Sequence, residues 1–339
     1  MEKIEYSQID TSVWDEFVLK NDFGWYYHTS SYINSLSWLG INESFAIADK
    51  GDILAIFTIY RQTSHKKKLL GFVKKARSNL QSLGGFVIKN GLTEKQKNKV
   101  YDFFKQVIDD MVKQYGVKKF WTTTATLAPA VLPEAKINGV NPLMFWGFLP
   151  EYTFVKTIDL RNIGVEDIFK QCNETTRQEI RKISDDTSYS IREAQPTSED
   201  VETFYNLHLE TYKRTGAAPF PKSYFEELFF NAMPKGFAKI LFLLKDGEVI
   251  SSDIILIYKN CGKYLANASK DSSTIKGNRY LLYKQILAAK QAGCNYFEVG
   301  GVFPYERAGK LKGLTVFKNS FGGFYYPVFE GTYVKQSDK

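Results

Sequence analysis

The chain has 339 residues, 44% of them hydrophobic, with 26 Phe and 21 Tyr. That length suits about two domains, and the composition excludes wholesale disorder. Its formal net charge of +8 favours acidic partners (phosphates, nucleotides, nucleic acid or an anionic membrane face) over the plain alternative of a soluble basic protein with none.

The opening residues "MEKIEYSQIDTSVWDEF" lack the apolar core of a signal peptide. No apolar run approaches the roughly 18 residues that span a bilayer. The expectation is a cytoplasmic protein, with peripheral contact to a membrane surface allowed by its charge. A first helix is predicted at Ser12 to Leu19. "FAIADKGDILAIFTIYR" (Phe45 to Arg61) then reads as a β-hairpin, two apolar strands around a Lys-Gly-Asp turn. Arg61 to Arg77 is rich in Lys and Arg without an acid, which fits a solvated loop or a phosphate-docking patch. From Glu94, Val100, Phe103, Phe104, Val107, Ile108 and Met111 recur at helical spacing; Gly116 stops the helix and a strand follows.

The same order returns in the second half. Ser198 to Thr215 is predicted as a helix with Ser198 as N-cap and Gly216 at its end. Ile240 to Lys259 repeats the hairpin. Tyr280 to Gly301 repeats the helix, glycine stop and strand, with Leu282, Ile286 and Ala289 on one face. Ahead of this second set lies an inserted helical piece and short strand, Ile168 to Ala194, carrying Arg177, Arg181 and Lys182. A repeated helix, hairpin, helix and strand implies two related α/β (α+β) domains, each a mixed, largely antiparallel sheet flanked by helices. The expected division is 1–155 and 156–327, with 328–339 returning to the first domain.

Familiar catalytic sets are missing from the sequence. His28, His65 and His208 are far apart, and neither HExxH nor GxSxG occurs. Cys172, Cys261 and Cys294 lack CxxC spacing, so no metal site is expected and a reducing compartment fits. There is no GxxxxGK[ST] loop. Gly277, with Lys276 and Arg279, offers a thin phosphate-binding candidate at a helix start.

Three side chains stand out. Arg214, near a helix end, suits bidentate phosphate binding or simple compensation of the helix dipole. Glu298 in "YFEVGG" suits proton acceptance from an amine or a structural pairing. Lys318 lies in "GLTVFKNSFGG". Read as a strand, this stretch sets Phe317 and Lys318 on opposite sides; the lysine is then an oxyanion stabiliser in a groove or a surface residue on an edge.

The ordered series "LETYKRTG", "KDGEVISSDIILIY", "KYLANAS", "QAGCNYFEVGG" and "GLTVFKNSFGG" resembles the Fem-type (FemABX) aminoacyltransferases. The resemblance runs from about Ile158 to Gly331, with "HTSSYINSL" and "GFLPEYTFVKTIDL" as fainter pieces earlier. It implies tandem acetyltransferase-like (GNAT-like) domains. It also implies transfer of an amino acid from aminoacyl-tRNA to an amine of a peptidoglycan precursor stem peptide, with no metal and no bound cofactor. In that scheme Lys318 stabilises the acyl carbonyl, Arg214 holds precursor phosphate, and Tyr264, Tyr212 and Phe317 line the substrate groove. Two features depart from the family. There is no room for the long helical hairpin with which some members contact tRNA, and "HTSSYINSLSWLG" lacks the lysine that helps hold the precursor.

Two alternatives remain at this level. One is an acyl-CoA-dependent N-acyltransferase acting on an amino sugar or peptide, with a nucleotide- or lipid-linked acceptor of surface-polysaccharide synthesis. The other is a non-catalytic binding protein of the same fold. Neither reading involves DNA.

Overall fold

The computed structural model describes residues 1–64, 77–135, 139–270 and 277–333. His65, Lys276 and the heart of the basic segment lie outside the described residues. The chain divides into two compact units, one made of residues 1–153 and 327–339, the other of residues 154–326.

The first unit begins with β1 (Glu2–Glu5), α1 (Thr11–Lys20), α2 (Ser30–Ser35) and β2 (Ile41–Asn42). It continues through β3 (Phe45–Asp49), β4 (Asp52–Phe57), β5 (Tyr60–Ser64), β6 (Arg77–Gly84) and β7 (Phe86–Ile88). The long helix α3 (Glu94–Tyr115) and β8 (Val117–Thr124) follow. One sheet runs β1-β3-β4-β7 and is antiparallel throughout. The hairpin β3–β4 turns on Lys50 and Gly51, both at positive φ, the tight turn that matches strand twist. Val100, Phe104, Val107, Ile108 and Met111 of α3 are buried in one cluster with Phe45, Phe57 and Trp146. Each such side chain contributes about 1.5–3 kcal/mol of burial. In the other strand set, β6 runs parallel to β8 and stays paired with it from Ser78 and Val117 to Gly84 and Thr124.

The unit boundary falls within β9 (Phe148–Asp159) and the last strand. The second unit continues with α4 (Val165–Gln171), α5 (Glu174–Asp185), β10 (Tyr189–Glu193), α6 (Ser198–Thr215) and α7 (Lys222–Glu227). Then come β11 (Ala238–Lys245), β12 (Glu248–Tyr258), β13 (Cys261–Ser269), α8 (Asn278–Gln291), β14 (Tyr296–Val302), α9 (Gly309–Asn319) and β15 (Phe324–Tyr333), which ends in the first unit. Its strands run β10-β11-β12-β13-β14-β9. All neighbours are antiparallel except β13 and β14. The hairpin β11–β12 turns on Asp246 and Gly247, again both at positive φ. Leu282, Ile286 and Ala289 of α8 are fully buried with Ile158, Ile255 and Phe297.

The expected fold class, two GNAT-like α/β halves of mixed, largely antiparallel sheet, is what the chain adopts. Two local readings change. Helix α6 is capped by the side chain of Thr197, not Ser198. The "TVFKNSF" stretch is the end of a helix, α9, not an alternating strand. In it Lys310, Leu314 and Lys318 recur every fourth residue, a one-face helical pattern that outweighs the apparent alternation. Cys172, Cys261 and Cys294 are buried and unbridged. Among the described residues, no helix is long and apolar enough to cross a membrane, and no cluster of potential metal ligands occurs.

Candidate active site

The parallel pair β13–β14 is short. It joins Cys261 to Tyr296, Gly262 to Phe297 and Lys263 to Glu298, and there it stops. Beyond that point β13 runs on to Ser269 and β14 to Val302. The corresponding pair in the first unit, β6–β8, shows no such early end. A cavity of about 460 Å³ occupies the opening.

Four elements supply most of its walls. His208, Thr211, Tyr212 and Thr215 of α6 line it at helical spacing. Tyr264 and Asn267 come from β13, and Gly300 and Gly301 from β14. Lys310, Leu314 and Lys318 come from α9. With Lys263 the lining carries three lysines and no carboxylate, which favours anionic or electron-rich ligands.

Lys318 reaches into this opening. Its Nζ donates to the carbonyl oxygen of Gly301 at 2.6 Å. Gly300 makes room for it: its φ is +101°, and an added Cβ would lie 3.1 Å from the Lys318 Nζ. Burial, reinforced by the nearby Lys263 and opposed by Glu298, brings the Lys318 amine down to about 8. It therefore stays mainly cationic at neutral pH, yet surrenders a proton far more readily than an exposed lysine.

Glu298 ends the paired part of β14, is fully buried, and forms an ion pair with Lys263, its cross-strand neighbour. It does not line the cavity. Considered above as a proton acceptor, its carboxylate pairs with Lys263 and favours the charged form of Lys318.

Tyr212 and Tyr264 both line this cavity. The Tyr212 ring lies 4.1 Å from that of His208. Phe317 does not share the cleft. It lines a second cavity, of about 490 Å³, with Glu179, Lys182 and Arg279. Arg214 also stands outside the lining. Its guanidinium donates to the carbonyl oxygens of Ser269 and Lys270 at 3.3 and 3.1 Å. With Thr211, whose hydroxyl donates to the Ser269 oxygen at 3.0 Å, it ties the end of α6 to the end of β13. The phosphate candidate at Gly277 and Arg279 is also altered: Glu179 accepts from the Arg279 backbone N–H at 3.3 Å and from its guanidinium at 2.8 Å.

Several cleft residues escaped the sequence reading. Lys263 sits beside Tyr264 in a stretch already singled out. His208 is buried, and its Nε2 accepts from the Phe220 backbone N–H at 3.0 Å, so Nδ1 carries the proton of the neutral ring. Burial lowers this imidazole to about 4. Asp253, which stands behind the lining residues Tyr264 and Asn267, was legible only as one acid within a largely apolar strand.

A family model described as an acetyltransferase (GNAT) domain matches residues 170–310. No curated protein matches the chain by sequence. Among solved structures, the chain is similar to FemX, with a TM-score of 0.68, 13% identity and 97% of each chain covered. It is also similar to the C-terminal domain of a putative lysylphosphatidylglycerol synthetase from Agrobacterium fabrum (TM-score 0.60, 11% identity, 96% of this chain and 92% of that one). A tandem GNAT protein from the clavulanic acid biosynthesis pathway aligns with a TM-score of 0.54 and 8% identity over 99% of each chain. The fold is thus the Fem-type tandem GNAT-like fold, an architecture of acyltransferases.

Proposed function

We propose that this acyltransferase fold moves an amino acid from aminoacyl-tRNA to an amine of a peptidoglycan precursor stem peptide, in the cleft where β13 and β14 part. The observation that carries the reading is Lys318, a partly buried cation with its amine on the Gly301 carbonyl at the cleft wall. An acceptor amine attacks the ester carbonyl, and negative charge grows on the carbonyl oxygen. An ammonium held in a poorly hydrated cleft stabilises that charge strongly, because little reorganisation is needed. The ester C–O bond then breaks, the leaving alkoxide oxygen takes a proton, for which a lysine near 8 is well matched, and the amine nitrogen, on becoming an amide, sheds the proton that balances it. Tyr212 and Tyr264 flank the acyl group, and Glu298 acts through Lys263. Likeness to FemX supports the fold; the donor and acceptor classes are those implied by the resemblance of the residue series to the Fem-type family.

Acyl-CoA is the alternative donor. A helix N-terminus with free backbone N–H groups is the usual seat for a pyrophosphate. At the start of α8 the Glu179 carboxylate already accepts from such an N–H, and its negative charge opposes a phosphate there. This observation favours the tRNA-linked donor.

The test is transfer of a labelled amino acid from charged tRNA to a stem-peptide precursor. Transfer abolished by RNase supports the reading. Transfer that survives RNase and requires acyl-CoA replaces it, and ligand binding without turnover from either donor leaves a binding protein. For Arg214, exposed beside the cleft, Arg214→Ala is expected to weaken a phosphate-bearing acceptor more than its dephosphorylated form; equal weakening assigns it to the α6–β13 tie alone.

A further inference from the structure

Asp253 lies mid-strand on β12, between Ser252 and Ile254, with none of its surface exposed. Its Oδ1 accepts from Asn267 Nδ2 at 2.7 Å and from the Tyr264 hydroxyl at 3.4 Å. Its Oδ2 has no partner. An isolated buried carboxyl is costly, and an apolar residue would suit such a strand better. Tyr264 and Asn267 both line the cleft. The carboxyl is therefore one hydrogen bond away from the place where substrate would sit.

The groups around it are few. Across β11 stands Leu241, its register partner. From β13 come Asn267 and Tyr264, and from α8 comes Gln285, which donates to the Asp253 backbone oxygen at 2.8 Å. From α6 the titratable group on the same cleft is His208, held neutral by burial. None of the ion pairs found among the described residues includes Asp253. Burial raises its carboxyl to about 7, where a base works best near neutral pH.

We propose that Asp253 accepts, through Tyr264, the proton that the acceptor amine releases during acyl transfer. As the nitrogen–carbon bond forms, an amine proton passes to the Tyr264 oxygen while the phenol's own proton passes to Asp253 Oδ1. The ester carbon–oxygen bond breaks and the leaving oxygen takes a proton from Lys318. Exchange with water then returns one proton from Asp253 and restores one to Lys318. Tyr264 touches the substrate, and Asp253 is the positioning residue behind it. The Asn267 amide, its Nδ2 turned to Asp253 and Ser251, keeps its oxygen as the end available to an amine.

This inference rests on the acyl-transfer reading, and the experiment has two arms. In the first, full-length protein labelled with carboxyl-¹³C aspartate is titrated by NMR, wild type against Asp253→Asn. One resonance titrating near neutrality and absent from the variant is expected; carboxyls that all titrate in the ordinary acid range overturn the proposal. In the second, the pH dependence of transfer from charged tRNA to stem peptide is measured. Asp253→Asn should melt no lower than wild type, keep its KM, lose about 100-fold in kcat, and lose the acid limb of the profile. Tyr264→Phe should lose as much, and the double variant no more. A variant that retains the acid limb overturns the relay and leaves acyl transfer standing. A wild type inactive with charged tRNA and with acyl-CoA overturns acyl transfer itself and the relay with it.

Discussion

Lys318 lies under opposed influences: burial and Lys263 disfavour its charge, while Glu298 favours it. The proposed reaction needs the ammonium, so activity should fall as pH rises through about 8. Replacing Lys318 with Met keeps much of the side-chain volume and removes the donor. A loss of roughly 100-fold or more in kcat is expected, with an unchanged melting temperature as the control. Glu298→Gln removes the anion that supports the Lys318 charge, so the alkaline limb of the pH–rate profile should move to lower pH; an unmoved limb disconnects Glu298 from Lys318. Asp253 has the opposite linkage. Its folded carboxyl sits above its unfolded value, so the native state holds the extra proton between about 4 and 7. Its contribution to stability is present at low pH and declines as pH rises through that window. Asp253→Asn should abolish this decline and, above neutral pH, be more stable than wild type by roughly 1–3 kcal/mol, as read by denaturant melts across pH.

The opening between β13 and β14 is an element-scale property. It needs a strand pair that stops at Lys263 and Glu298, a bulge between Glu298 and Gly300 against β9, and a backbone without side chains where Lys318 crosses. Gly300→Ala tests this. Its φ of +101° and the 3.1 Å approach to Lys318 Nζ should cost about 1–3 kcal/mol of stability. They should also displace the amine, so kcat falls beyond what the stability loss explains. An active, fully stable variant removes Gly300 from the account. The hairpins, α3 and α8 were legible because their periods are unmixed: apolar runs around X-Gly turns, or apolar residues at three- and four-residue spacing. Helix α9 was misread because "TVFKNSF" satisfies a two-residue period locally, while its true face, Lys310, Leu314 and Lys318, mixes charge with one leucine. Phe317, expected in the groove, neighbours Lys318 in sequence only: one step along a helix turns a side chain by about 100°, and its ring lines another cavity.

Across the whole chain, the repeated helix, hairpin, helix and strand announces two halves of one kind. Their parallel strand pairs differ, and that difference separates fold from site. Pairing of β6 with β8 continues to Gly84 and Thr124, whereas β13 and β14 part after Lys263 and Glu298. Residue pattern marks both as strands; where a ladder ends depends on packing and bulges that a sequence does not display. Nor does the sequence show that Tyr264 and Lys318 line one cleft, with Asp253 behind Tyr264. Aminoacyl transfer in this cleft, with Lys318 as the oxyanion partner, is the proposal on which the other roles depend. The most direct test measures RNase-sensitive transfer of a labelled amino acid from charged tRNA to a stem-peptide amine, wild type beside Lys318→Met at matched thermal stability. The account predicts turnover in the wild type and a loss of about 100-fold or more in the variant. Equal turnover in the two proteins would contradict it.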